Sequence, residues 1–487
     1  MSMLPVTNNS LMKLSDIPLL EMGGFLEEIL KNSDMRPVSL FGIREDKKAV
    51  RLIAIMAHDD DSRLAALSAM VKEGDSYPSL TPAFPAFHLF ERELAEQFSL
   101  TPIGHPWLKP VRNCLGGRYD FYRMDGEGVH ELAVGPIHAG IIEPGHFRFQ
   151  CSGEMVYHLE IMLGYQHRGV EEMMAGMKIE SAPFLAESIA GDSVISNASA
   201  NAALMESLCG SVISRRSQAV RGIALELERI AIHLGDLSAI AGDIAFIQGK
   251  SIYGALRTKI INSFLSLCGS RFGRGLIRPG GVVYDIDKQY SMELGGILRR
   301  LDLDTQDISE AFFSSSSVLA RLEQTGILTY EDARTLGMVG PAARASGMPV
   351  DARSDHPYRI YRNFPIHKIT LPGGDVFSRA YIRYIEIRQS IKFILEVLDN
   401  LPGDGAGLVP LGESAPESLT ISLVEGWRGE TFHAAVTGKD GGIIRYKITD
   451  PSFHNWTGLA IAARNNGISD FPICNKSFSL SYCGFDL

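Results

Sequence analysis

Along this chain the spacing of apolar residues changes character more than once. Residues 49–57, AVRLIAIMA, form a nearly unbroken apolar run of strand length, whereas 61–71, DSRLAALSAMV, reads as a helix with Asp61 or Ser62 as its N-cap. A proline-spaced segment, SYPSLTPAFPAFHLFERELAEQFSL, follows, and the polar, glycine-rich GGRYDFYRMDGEG (116–128) marks a first boundary. Residues 1–125 are therefore expected to be a small α/β domain. Beyond about 131, HFRFQCSGEMVYHLEI predicts a strand pair around a Ser-Gly turn. Helices then dominate. In RGIALELERIAIHLGDL, Ile223, Leu227, Ile230, Leu234 and Leu237 step by four and three and line one face. Residues 374–401 predict a second long helix, stopped by Pro402 and Gly403. The last stretch of about 70 residues returns to strand-like pieces, LTISLVEG and GGIIRYKIT. The fold class is α+β, with 126–487 a mainly helical domain carrying peripheral strands. No internal repeat is present.

Composition narrows this picture. A length of 487 residues implies two or three domains, and 45% hydrophobic against 21% charged residues is the balance of a folded chain. A net charge of -10 argues against a general nucleic-acid footprint. Every apolar run is broken well short of the ~18 residues a membrane span needs. The start, MSMLPVTNNSLMKL, lacks a basic region followed by an apolar core, so no signal peptide is expected. Membrane contact is expected through partners. Six scattered cysteines, Cys114, Cys151, Cys209, Cys268, Cys474 and Cys483, include no C-x-x-C, which favours reduced, buried thiols and no iron–sulfur cluster held by this chain.

Several segments offer chemistry. The pliable stretch ESIAGDSVISNASA (187–200) contains Gly-Asp-Ser, and Ser193 is either a nucleophile or, with Asp192, a helix N-cap; the missing strand-to-helix turn favours the cap. His138, His146, His158, His167 and His233 fall within about a hundred residues, several beside Glu or Arg. They form either a proton-handling pocket or a set of separately satisfied polar residues. No H-x-x-x-H or H-E-x-x-H spacing places two rings on one helical face for zinc. Glu226 and Arg229, three apart on one helix, are expected to pair. The run GSRFGRG (269–275) matches neither a P-loop nor a dinucleotide fingerprint.

A resemblance adds what composition does not. GPIHAGIIEPGHFRF (135–149), LGYQHRGVEEM (163–173), ELERIAIHLGDL (226–237) and RFGRGLIRPGGV (271–282) resemble the large subunit of membrane-bound, group 4 nickel–iron hydrogenases, and equally the forty-nine-kilodalton subunit of respiratory complex I. GMVGPAARASG (337–347), GDVFSRAYIRYIEIRQS and DPSFHNW continue it, while FHLFERELAEQFSLTPIGHPWLKPVR (87–112) is similar to the thirty-kilodalton subunit of complex I. The fused order resembles large subunits of the formate hydrogenlyase and hydrogenase-4 type. It implies a domain like the thirty-kilodalton subunit over 1–125, and over 126–487 a domain like the hydrogenase large subunit or the forty-nine-kilodalton subunit.

The resemblance implies a nickel–iron centre held by a C-G-x-C pair and a C-x-x-C pair, thiolates being soft ligands suited to such metals. The pairs fall at Ala190–Ser193 and Ser481–Gly484, and the four ligand positions are Ala190, Ser193, Ser481 and Gly484. Cys483 is a displaced thiol. A nickel-free site is therefore expected, with no cofactor bound directly. Complex I binds quinone in the corresponding space, so quinone is the expected acceptor class, although the tyrosine that contacts it there is replaced near Gly191. His138 and Glu143 match pocket residues that handle protons. His167, Arg168 and Arg278 match residues on the side of an iron–sulfur cluster carried by a neighbouring small subunit, where positive charge raises the cluster's potential. The chain stops at Leu487, just past the second pair, so no maturation cleavage is expected. The implied partners are a small iron–sulfur subunit like the twenty-kilodalton subunit of complex I, a ferredoxin-like subunit and antiporter-like membrane subunits, with no nucleic acid. The implied location is cytoplasmic, peripheral on the inner face of the cell membrane. The expected function is electron passage from the partner's cluster to an acceptor; the alternatives are a non-catalytic coupling scaffold and, after it, an active hydrogenase.

Overall fold

The computed structural model describes residues 3–45, 48–112, 119–138 and 142–487. Cys114, the first residues of the 116–128 boundary segment and residues 139–141 of the GPIHAGII loop lie outside the described residues.

The apolar run at 49–57 is a strand, Ala49–His58, paired on both sides: antiparallel to Arg36–Arg44 and to Arg63–Lys72, with Leu4–Val6 beyond the latter. Residues 61–71, expected as a helix, are thus part of a strand. The chain reverses through Asp59–Asp61 and Ser62, which takes φ 55, and pairs back with Ile53 opposite Ser68. The misreading has a physical cause. This sheet is buried on both faces, so its strands read as continuous apolar runs without a polar side. Leu52, Ala54 and Met56 face the helices Met22–Lys31 and His88–Phe98, while Ile53, Ile55 and Ala57 face a second sheet.

That second sheet contains Ile443–Thr449, Gly429–Thr437, Ser418–Gly426 and the N-terminal strand Leu11–Lys13, in that order. The strand Gly429–Thr437 was not anticipated. The first sheet and the C-terminal sheet pack through Phe41, Ile43, Leu419, Ile421 and Phe432. Buried charges tie the second sheet to the helix His88–Phe98: Lys447 Nζ lies 2.7 Å from both carboxylate oxygens of Glu93 and 3.0 Å from Glu171, and Arg112 pairs with Glu93 as well.

The helical body forms as the apolar periodicity predicts. Arg215–Asp243 buries Ile223, Leu227, Ile230, Leu234 and Leu237 completely, against Ile247–Cys268, Lys288–Ser314 and Val376–Asp399. The last of these ends ahead of Pro402, as expected. The strand pair is His146–Ser152 with Met155–Met162, and Tyr119 and the Tyr122 amide bond to Glu160 on its second strand. After Thr449 the strands give way to the helices Pro451–Ala462, Phe471–Phe478 and Tyr482–Asp486, so the expectation of a strand-like end holds only for its first half. Among the described residues no helix is long and apolar enough to cross a membrane.

Candidate functional site

The stretch 187–200 begins as a loop held from outside. Glu187 accepts from Arg278 Nη1 at 2.6 Å and from the Gly275 amide at 2.8 Å, which gives the GSRFGRG run a structural role. Arg168 donates to the carbonyls of Ser188 and Ile189 at 2.7 and 2.9 Å. Ala190 is fully buried, and Ser193 opens the helix Val194–Leu208, whose small residues are buried almost throughout.

Ser193 stands at the N-cap position, yet its hydroxyl caps nothing. Glu228, from the helix Arg215–Asp243, accepts the Ile195 and Ser196 amides at 2.7 and 3.2 Å instead. The Ser193 hydroxyl accepts from Arg428 Nη1 at 3.0 Å, and no histidine base is bonded to it. Ser193→Ala should therefore lower stability by less than about 1 kcal/mol, while Glu228→Leu, which strips the helix of its amide acceptors, should cost more. Urea denaturation of the two variants tests the order.

Arg428 organises the site. Its guanidinium meets Asp192 end-on through Nη1 and Nη2 at 2.6 and 2.7 Å and donates from Nε to the Ser479 carbonyl at 2.6 Å, joining the 190–193 stretch to the segment that leads into 481–484. It lies 4.0 Å over the Trp427 ring, whose Nε1 donates to the Asp192 carbonyl at 2.7 Å. On the opposite wall Ser481 caps the helix Tyr482–Asp486 through the Gly484 amide at 2.9 Å. Asp450 lies under Gly484: a Cβ added there would come within 2.7 Å of its carboxyl carbon. Burial, then the neighbouring Glu143 charge, pushes the Cys483 thiol up to about 12, so it is protonated at neutral pH. Its Sγ is 3.5 Å from Ser481 Oγ.

Glu143 accepts the Tyr482 and Cys483 amides at 3.2 and 3.5 Å, so it borders the second stretch. His138 is turned away, donating from Nε2 to the Gly145 carbonyl at 2.8 Å. The five histidines do not gather into one pocket. His146 bonds the Gly135 carbonyl at 3.1 Å, His158 packs against Tyr122 at a tilt of 52° with centroids 4.6 Å apart, and His233 bonds Glu386 at 2.9 Å in the core. His167 and Arg168 are exposed and are held by the C-terminal residues: the His167 ring nitrogen Nδ1 donates to the Asp486 carbonyl at 2.7 Å, and the Arg168 backbone amide to the Leu487 carbonyl at 2.7 Å. Glu226 and Arg229 pair at 3.0 Å, fully buried, as their spacing predicts. The sequence reading missed Trp427, Arg428, Asp450 and Glu228. Arg428 lies more than 230 residues from Asp192, and no local pattern links them.

Comparison with known proteins fits this geometry. Residues 243–410 match the family model of the respiratory-chain NADH dehydrogenase 49 kDa subunit, and 27–121 that of the 30 kDa subunit. Formate hydrogenlyase subunit 5 of Escherichia coli (strain K12) is 28% identical over 433 residues, 83% of this chain and 76% of that one. The carbon monoxide-induced hydrogenase of Rhodospirillum rubrum is 30% identical over 353 residues, 72% of this chain and 97% of that one. In fold, the chain is similar to a chain of the membrane-bound sulfane sulfur reductase, an archaeal respiratory membrane complex, with a TM-score of 0.70 at 22% identity over 75% of this chain and 100% of that one. The class is that of oxidoreductase-complex subunits built on the hydrogenase large-subunit fold. Within it, this chain belongs to the family that unites membrane-bound hydrogenase large subunits with the complex I 49 kDa subunit, and carries the 30 kDa unit fused ahead of it.

Proposed function

We propose that this chain is a nickel-free large subunit of a membrane-associated, hydrogenase-related oxidoreductase, passing electrons from a partner's iron–sulfur cluster to an acceptor of the quinone class. The carrying observation is the Asp192–Arg428 pair spanning the two stretches where four thiolates would stand. Ala190 and Gly484 have no donor side chain, and Ser193 and Ser481 offer neutral hydroxyls already engaged. These residues do not fit a soft-thiolate metal.

Exposed His167 and Arg168 form the face toward the partner's cluster, where the guanidinium favours the reduced state. Around them Phe184, packed 4.7 Å from Arg278, and Met173 are exposed apolar groups for the small subunit to cover. A ferredoxin-like subunit and antiporter-like membrane subunits complete the proposed assembly, peripheral on the inner face of the cell membrane. Glu143, bordering the site, is the proposed proton carrier, with His138 fixing the turn behind it. Nickel analysis and hydrogen-oxidation assays on the purified complex should find neither bound nickel nor hydrogen turnover. Stoichiometric nickel accompanied by hydrogen turnover sinks the proposal.

One observation favours a second reading, a non-catalytic coupling scaffold: four of the five N–H donors of Arg428 are engaged by Asp192, Ser193 and Ser479, which leaves it a single Nη2 hydrogen to offer an acceptor. Glu143→Gln separates the readings. A proton-carrying role predicts a loss of quinone-reductase turnover on the order of 10²-fold with assembly intact; intact assembly with unchanged turnover establishes the scaffold.

A further inference from the structure

Behind Trp427 lies a second set of charges that the redox reading does not use. Arg229, Arg344 and Arg353 meet Glu226, Asp351, Glu386 and Glu425, every side chain no more than 2% exposed. Arg353 pairs with Asp351 at 2.7 Å and Glu226 at 3.0 Å; Arg344 pairs with Glu386 at 2.7 Å and Glu425 at 2.8 Å. Arg383, which also faces His233, is taken by Asp236 at 2.8 Å. Three guanidiniums therefore face four carboxyls. A buried, uncompensated negative charge is costly, and one proton removes it.

The hydrogen bonds decide where that proton sits. Glu226 has two guanidiniums and the hydroxyls of Tyr361 and Ser390; Glu386 has Arg344 and His233; Asp351 has Arg353 side-on and its amide. Glu425 has only one guanidinium contact and the Ala352 amide at 3.0 Å, while the Tyr358 hydroxyl accepts from its backbone amide and leaves its carboxyl unaided. His233 Nδ1 is fully buried with no hydrogen-bond partner among the described residues, its ring meets Trp427 edge-on at 6.2 Å, and burial lowers its pKa, so the imidazole stays neutral and adds no charge to the count.

We propose that this cluster is a proton-binding site that takes one proton from solvent onto Glu425, three residues before Arg428 on the strand leading to the former metal position, and returns it when positive charge arrives nearby. The acidities agree. Burial, then the Asp351 charge, raises Glu425 to about 7; against burial, arginines hold Glu226 and Asp351 down to about 2 and Glu386 lower still. The inference does not depend on the identity of the electron acceptor.

Infrared titration of the purified protein tests it directly. Besides the C=O bands of Glu228 and Asp355, which burial also raises, to about 8 and about 6, wild type should show a further protonated-carboxyl band that disappears between about pH 5 and about pH 9 and is lost in Glu425→Gln. Because the folded pKa lies above the unfolded value, stability owed to this proton is full at low pH and lost as pH rises through about 7, so Glu425→Gln should also flatten that decline. If Glu425→Gln does not fold, Glu425→Asp, which keeps a carboxyl, must shift the midpoint of the band. The proposal is overturned if wild type has no further band titrating in this range, or if that band persists unchanged in either variant.

Discussion

Arg353→Met is expected to lower the free energy of unfolding by about 3–5 kcal/mol, the range for breaking a buried ion pair by removing one partner. Arg353 is 1% exposed and holds two carboxylates at once, Asp351 and Glu226. Without it Asp351 keeps the backbone amide of residue 353 and, among ion pairs, Arg344 at 3.7 Å, and the cluster is left with two guanidiniums for four carboxyls. The penalty should depend on pH, with a sign that can be worked out. In the wild type Glu226 and Asp351 sit near 2, so the stability they contribute is present above the ordinary carboxylate range and lost as pH falls toward 2. In the variant, orphaned carboxyls have raised pKa values, so the protonated, low-pH form is the more stable one and stability falls as pH rises. The gap between the proteins must therefore widen from pH ~4 to pH ~7. Urea denaturation at both pH values measures it. A gap that does not change would mean that Arg353 contributes packing and not charge compensation. Adding Glu226→Gln should recover part of the loss at neutral pH, because it removes one of the unpaired acids.

This cluster also marks the limit of what the chain discloses by itself. The Glu226–Arg229 pair was legible because both residues lie on one helix three apart. Arg344, Asp351, Glu386 and Glu425 come from separate helices and a strand, and only the tertiary fold makes them neighbours. The same division runs through the backbone. The helix Arg215–Asp243 announced itself because its apolar residues keep to one face while the rest of its turn, buried as well, carries charged residues such as Glu226 and Arg229 that pair with one another, which leaves a stripe. The strand Arg63–Lys72 did not, because a sheet covered on both faces has no polar side, and its Leu and Ala residues also favour helix. For the site, resemblance placed Ala190, Ser193, Ser481 and Gly484 at the ligand positions, but only folding shows that Arg428 lies between the two stretches.

Placing cysteines at 190, 193, 481 and 484, where the resemblance puts the nickel ligands, should fail to create a nickel site, and the failure should begin at one residue. In Ala190→Cys/Ser193→Cys/Ser481→Cys/Gly484→Cys, the last change puts a Cβ against the Asp450 carboxylate, with its Cγ at 2.7 Å. Asp450 cannot simply retreat: it is buried, and its Oδ1 accepts the Ser452 amide at 2.8 Å, capping the helix Pro451–Ala462. Gly484→Ala alone should therefore cost about 1–3 kcal/mol of overpacking. If Asp450 is displaced instead, the lost cap costs about 0.5–2 kcal/mol. Asp450→Ala combined with Gly484→Ala should then be more stable than the sum of the two single effects predicts, since each change removes the other's clash. Even with room made, the Arg428 guanidinium stays locked to Asp192 across the opening, so the quadruple variant should bind no stoichiometric nickel by metal analysis. Wild-type stability in Gly484→Ala would show that the carboxylate does not occupy the ligand's place; stoichiometric nickel in the quadruple variant would show that the charge pair yields to the metal.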